Sequence, residues 1–200
     1  MRGHAAAQLH PPDRAHLRSE LAGIVISHDQ YDQYDLPALV RYPDKTVPFA
    51  VVRGLAPRVR AARFTDVVEL DPWQSTTLGP VQVTAAPARH GVPEVTFLMR
   101  GAGTSVFFGA DTLRIEELDQ VPDHCPDLDL ALLPINGLRI RPALNKQVVM
   151  DAVEAAELTA ALRPRLAVPI HYAFTAGPIR DRLAPDTTVH VLGPGRPLTL

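Results

Sequence analysis

Cysteine is almost missing: Cys125 is the single one in 200 residues. That excludes an internal disulfide and any zinc framework built on cysteines. An excess of positive charge is missing too. The formal net charge is −2, which argues against a dedicated binder of phosphate backbones, so no nucleic-acid partner is expected. Long apolar runs are absent. The best of them, over 21–26 and 128–133, are far too short to cross a bilayer, so no membrane span is expected. The first residues contain no apolar core of the kind a secretory signal needs, and the expected location is cytoplasmic. Lysine is scarce, with Lys45 and Lys146 the only two among 20 basic residues, and this scarcity carries no functional weight.

What is present suits one folded domain over 1–200 with an irregular segment over 1–20. The apolar fraction of 46% and charged fraction of 21% allow a sizeable core. Proline reaches 20 residues, which disfavours long helices and suits many short strands and turns. Short β-branched runs predict strands over 21–26, 47–52, 66–70, 81–87, 95–100, 104–109, 128–133, 165–170 and 188–192. Gly101-Ala102-Gly103 predicts a tight hairpin turn. Helices are predicted over 36–41, 55–64 and 178–183, with a helical turn over 114–118. The strongest helix signal covers 146–162, with Asn145 as its cap and Pro164 closing it. Strands with interleaved helices make an α/β or α+β layered domain.

Four of the strands end on residue types that bind metals. The ends are Ser27-His28 running on to Asp35, Pro87-Ala88-Arg89-His90, Phe108-Gly109-Ala110-Asp111-Thr112, and Pro169-Ile170-His171-Tyr172. Strand ends in a layered domain share an edge, where distant side chains converge. Imidazoles and carboxylates gathered there would suit a divalent metal. Each residue alone has a plainer explanation. A histidine at a strand end is more often bonded to nearby backbone, and Asp111 before Thr112 reads as a turn or cap. The shared placement is what raises the four above those explanations. His4, His10, His16, His124 and His190 read as solvated.

On these residues the sequence resembles the metallo-β-lactamase superfamily, in particular the branch of ascorbate-6-phosphate lactonases and N-acyl-phosphatidylethanolamine phospholipase D. The branch motif I-S-H-x-H-x-D-H-x-D is in register with Ile26-Ser27-His28-Asp29-Gln30-Tyr31-Asp32-Gln33-Tyr34-Asp35. P-A-x-H matches residues 87–90, F-x-G-D-T approximates 107–112, L-L-P-I matches 132–135, and I-P-I-H-Y-x-x-F nearly matches 168–174. The resemblance implies an αββα sandwich of two mixed sheets flanked by helices, with a dinuclear centre on one rim. It places His28 and His90 at the first metal position and Asp32 and His171 at the second, with Asp111 bridging. Metal-bound hydroxide would attack an ester, lactone or phosphodiester, and Asp32 would orient it or take its proton.

Two departures from the pattern matter. Gln30 and Gln33 stand where the motif has imidazoles, one at each position. A neutral amide oxygen is a poor substitute on zinc, so the site is expected to be partly degraded, with Zn²⁺, or Mn²⁺ or Mg²⁺, at partial occupancy or absent. The second departure is that residues 1–20 do not supply the family's opening hairpin. The uncovered strand edge that follows would invite a homodimer. Two readings result: a metal-dependent hydrolase of a small ester or phosphoester, or a catalytically inactive relative serving as a ligand-binding or interaction module.

Overall fold

A computed structural model describes residues 21–30, 34–140, 144–171 and 187–192. Residues 1–20, on which the expected irregular segment and missing hairpin fall, lie outside these, as do Asp32, Gln33 and the helix expected over 178–183. The described strands form two principal sheets. The smaller joins β1 (Ile24–Ile26), β2 (Phe49–Val52) and β3 (Val67–Leu70), all parallel. Helices α1 (Leu36–Arg41) and α2 (Ala56–Ala61) supply its crossovers.

The larger sheet is mixed and has seven strands. Its antiparallel half runs through β4 (Ser75–Leu78), β5 (Val81–Ala86), β6 (Thr96–Gly101) and β7 (Thr104–Phe108). The chain then passes through a 3₁₀ turn (Glu116–Gln120) and α3 (Val121–His124). The parallel half adds β8 (Leu130–Pro134), β11 (Leu166–Ile170) and β12 (Thr188–Val189) beside β7. A separate ribbon pairs β9 (Arg139–Ile140) with β10 (Lys146–Gln147), and α4 (Ala152–Leu162) follows it.

Strand periodicity divides the core in two. The registered pair Phe97 and Phe108 faces the cluster containing Phe49, Val51 and Phe64, between the sheets. The next pair, Leu98 and Phe107, faces the opposite way, onto Leu158 and Leu162 of α4. The layered sandwich expected from the sequence is therefore present. Burying Phe107 completely makes it a costly position: truncation to alanine in such a setting costs about 3–5 kcal/mol.

The expected hairpin is found at its expected place. Ala102 and Gly103 both have positive φ, 52° and 77°, as a two-residue turn matching strand twist requires. The start of the strongest helix differs from expectation. Asp151, not Asn145, caps α4, accepting from the Val153 and Glu154 amides while the Glu154 carboxylate accepts from the Asp151 amide. That reciprocal capping box outcompetes a lone Asn, and Lys146–Gln147 is left to pair as a strand. Strand β4, rich in Ser and Thr, gave no apolar signal and was not expected. Among the described residues no helix is long and apolar enough to cross a membrane.

Candidate metal centre

Strand direction explains why the site assembles. Strands β7, β8 and β11 are mutually parallel, and β5, antiparallel to the intervening β6, runs the same way as β7. Their C-terminal ends lie on one rim, and His90, Asp111 and His171 follow β5, β7 and β11 there. His28 arrives two residues beyond β1 of the facing sheet.

Nδ1, Nε2 or carboxylate atoms of His28, His90 and Asp111 lie within 4.8 Å of one another. His28 has a fully buried side chain and that of Asp111 is 2% exposed. His28 Nε2 is 3.6 Å from Asp111 Oδ2, and the His28 and His90 rings are 5.1 Å apart. His171 Nε2 is 3.7 Å from the same Oδ2, with its side chain 25% exposed. Four of the five expected ligands thus converge, and Asp32 lies outside the described residues.

The backbone is held tightly around these groups. A Cβ on Gly109 would stand 2.9 Å from the Leu132 carbonyl oxygen, because the Gly109 amide donates to that same oxygen at 2.8 Å. Ala110 and His171 adopt left-handed φ values of 44° and 51°, a strain that concentrates at functional sites. Thr112 fastens two neighbouring segments: its Oγ1 accepts from the Arg89 amide, and its carbonyl accepts from the Met150 amide.

Hydrogen bonds fix two imidazoles for metal binding. His28 Nδ1 donates to Glu94 Oε1 at 2.9 Å, with Ser27 Oγ 3.0 Å from the same nitrogen. His90 Nδ1 donates to the Val148 carbonyl at 2.7 Å. Both partners can only accept, so in the neutral rings the lone pair sits on Nε2, facing the centre. Gln30 meets this lone pair. Its side-chain amide lies 3.3 Å from His90 Nε2, and only the NH₂ of that amide, not its oxygen, can donate to this lone pair.

Glu94 is the residue that the sequence reading missed. Its Oε1 accepts from both His28 Nδ1 and the Asp111 amide, at 2.9 and 3.0 Å. It precedes β6, the strand that runs opposite to its neighbours, so a search confined to C-terminal strand ends passed over it. A carboxylate set between Pro93 and Val95 against an apolar strand was the available signal. Asn136, two residues beyond β8, was missed as well.

Burial pushes the Asp111 carboxyl above its ordinary range, and repulsion from Glu94 adds to this, while His171, His28 and His90 oppose it. Desolvation is the larger cause. Two nitrogen donors and one oxygen donor, oriented by outer hydrogen bonds, fit a divalent metal of the zinc or first-row type.

The comparisons agree with this geometry. An uncharacterized protein of Mycobacterium tuberculosis is 33% identical over 146 residues, covering 65% of this chain and 38% of that protein. A UPF0173 metal-dependent hydrolase of Opitutus terrae is 32% identical over 126 residues, covering 56% of this chain and 50% of its own length. The chain thus spans half or less of the curated relatives it matches first. In fold, it is similar to Igni18, a metallo hydrolase from Ignicoccus hospitalis, with a TM-score of 0.66, 20% identity, and coverage of 86% of this chain and 76% of the other. The profile of the beta-lactamase superfamily domain matches residues 1–172, and the chain belongs to that superfamily, with the fold of its metal-dependent hydrolases.

Proposed function

We propose that the protein is a metal-dependent hydrolase of an ester, lactone or phosphodiester, with His28, His90 and Asp111 holding the metal. The observation that carries this is the pair of imidazoles whose Nδ1 atoms are tied to Glu94 and Val148, with His28 Nε2 3.6 Å from Asp111 and a His90 ring nitrogen in the same small cluster. A divalent ion held there supplies a Lewis acid and acidifies water. His28 and His90 hold their ring planes through their outer bonds, and Asp111 contributes the negative charge. Asp32 remains the residue assigned to orient the attacking water or to take its proton.

Gln30 supports a second reading, a non-catalytic binding module, because its amide stands at the His90 nitrogen that a metal must approach. Zinc titration by calorimetry, followed by turnover of bis(p-nitrophenyl) phosphate and a simple lactone, separates the two. The hydrolase reading expects saturable zinc binding and turnover abolished in H90A and strongly reduced in D32N. Q30H together with Q33H should tighten zinc binding by about tenfold or more, since outer partners alone are worth about 10–100-fold. Absence of zinc binding in both the unmodified protein and the double variant would sink the hydrolase reading.

A further inference from the structure

The third imidazole of the rim is wired in the opposite sense to the other two. His171 Nδ1 stands 2.8 Å from Asn136 Nδ2. The orientation of that amide is decided by its other end, because the Leu138 amide donates to Asn136 Oδ1 at 3.0 Å. Turning the amide over would aim its NH₂ at a backbone N–H, two donors face to face, and would forfeit a hydrogen bond. Asn136 therefore donates to His171 Nδ1, which must accept. In the neutral ring the proton then sits on Nε2, the atom facing Asp111 Oδ2 at 3.7 Å. A nitrogen carrying a proton has no lone pair for a metal.

We propose that Asn136 holds His171 as an N–H donor beside the metal centre, not as a ligand, so that the centre is built for one ion on His28, His90 and Asp111. This inference rests on the hydrolase reading above for its metal and departs from the two-position arrangement that the resemblance implies. The three rings then divide the work by their outer partners. Glu94 and Val148, both acceptors, turn lone pairs inward on His28 and His90. Asn136, a donor, turns an N–H inward on His171. The His171 side chain is 25% exposed, against 0% for His28 and 2% for Asp111. It stands on the solvent side, from which a substrate approaches, where an N–H donor would stabilise negative charge growing on a substrate oxygen. Its left-handed backbone, directly after β11, fixes the ring in this place.

The test begins with the unmodified protein, stripped of metal and labelled with ¹⁵N at histidine. Long-range ¹H–¹⁵N spectra report which ring nitrogen carries the proton. The expected result is Nε2–H for His171 and Nδ1–H for His28 and His90. Nδ1–H at His171 would overturn the proposal. Zinc calorimetry follows, with an expected stoichiometry of one ion per chain. H171A should keep zinc affinity within about threefold while turnover falls, whereas H90A should lose about 100-fold or more of that affinity. H171A that loses zinc as H90A does would overturn the proposal. N136D offers acceptors to both the Leu138 amide and His171 Nδ1, so it should move the His171 proton to Nδ1 and tighten zinc binding; an unmoved proton would count against the mechanism. Should the chain bind no zinc at all, the hydrolase reading fails, and the spectra still decide the wiring of His171.

Discussion

Replacing Glu94 by alanine tests the centre at the residue on which two of its ligands depend. Glu94 Oε1 accepts from His28 Nδ1 and from the Asp111 amide, at 2.9 and 3.0 Å, and the His28 side chain is fully buried. E94A leaves both donors without this acceptor. Losing a hydrogen bond to a charged acceptor costs about 1.5–3 kcal/mol, and with Ser27 Oγ able to take over part of the His28 bond the pair amounts to about 2–6 kcal/mol. Relief of the repulsion between Glu94 and Asp111 subtracts part of that. In a domain of this size about 1 kcal/mol moves the melting temperature by about 2–4 °C. Calorimetric melting in a chelator should therefore show a fall of at least about 4 °C. Zinc affinity should drop about 10–100-fold, because His28 loses the partner that fixes its tautomer. E94Q sharpens the test. It retains an acceptor for both donors, and its NH₂ takes the place of Oε2, which is buried without a hydrogen-bond partner among the described residues. E94Q should fall between the two. E94A that melts and binds zinc like the unmodified protein would refute the assignment of Glu94 as the anchor of His28.

Gly109→Ala forces a Cβ to 2.9 Å from the Leu132 carbonyl oxygen, a backbone atom that cannot swing away; overpacking of this kind costs about 1–3 kcal/mol, read as a lower denaturation midpoint together with weaker zinc binding. The raised Asp111 value gives a pH dependence of definite sign. Above the ordinary aspartate range the metal-free folded state still holds a proton that the unfolded chain has released, so stability falls as pH rises through that window. Melting of the chelated protein across mildly acidic pH should show this decline, and D111N should remove its Asp111 component; an unchanged slope in D111N would assign the decline to another group. Asp151→Ala breaks the capping box of α4 and should cost about 0.5–2 kcal/mol in chemical denaturation, with no need for metal in the assay.

Strand periodicity made most of the fold legible. Helix α1 falls at its expected bounds, and the turn at Ala102 and Gly103 needed only local chemistry. Helix α4 shows the limit of that method: apolar spacing could not distinguish a start at Asn145 from one at Asp151, where the reciprocal Glu154 bond decides. At the centre, His28, His90, Asp111 and His171 were legible because each follows a strand whose C-terminal end meets the same rim. Glu94 was not, since it enters that rim from the start of β6, which runs the other way. Nor could residue types reveal the roles of the three rings. Whether an imidazole presents a lone pair or a proton depends on its distant neighbour: a carboxylate for His28, a main-chain carbonyl for His90, an amide for His171.

The segment 148–150 binds the rim on both sides. Val148 accepts from His90 through its carbonyl and donates to the Leu138 carbonyl, while Met150 donates to Thr112 and accepts from Gly137. Val149 and Met150 are fully buried. Local opening there has to release His90, Asp111's neighbour Thr112 and the approach to Asn136 together, so the whole rim behaves as one cooperative unit in hydrogen exchange. An ion that clamps His90 should slow deuterium uptake at the Met150 amide, on a segment that contributes no side chain to the ligand set. The kinetics of one main-chain amide thus become a reporter of metal loading.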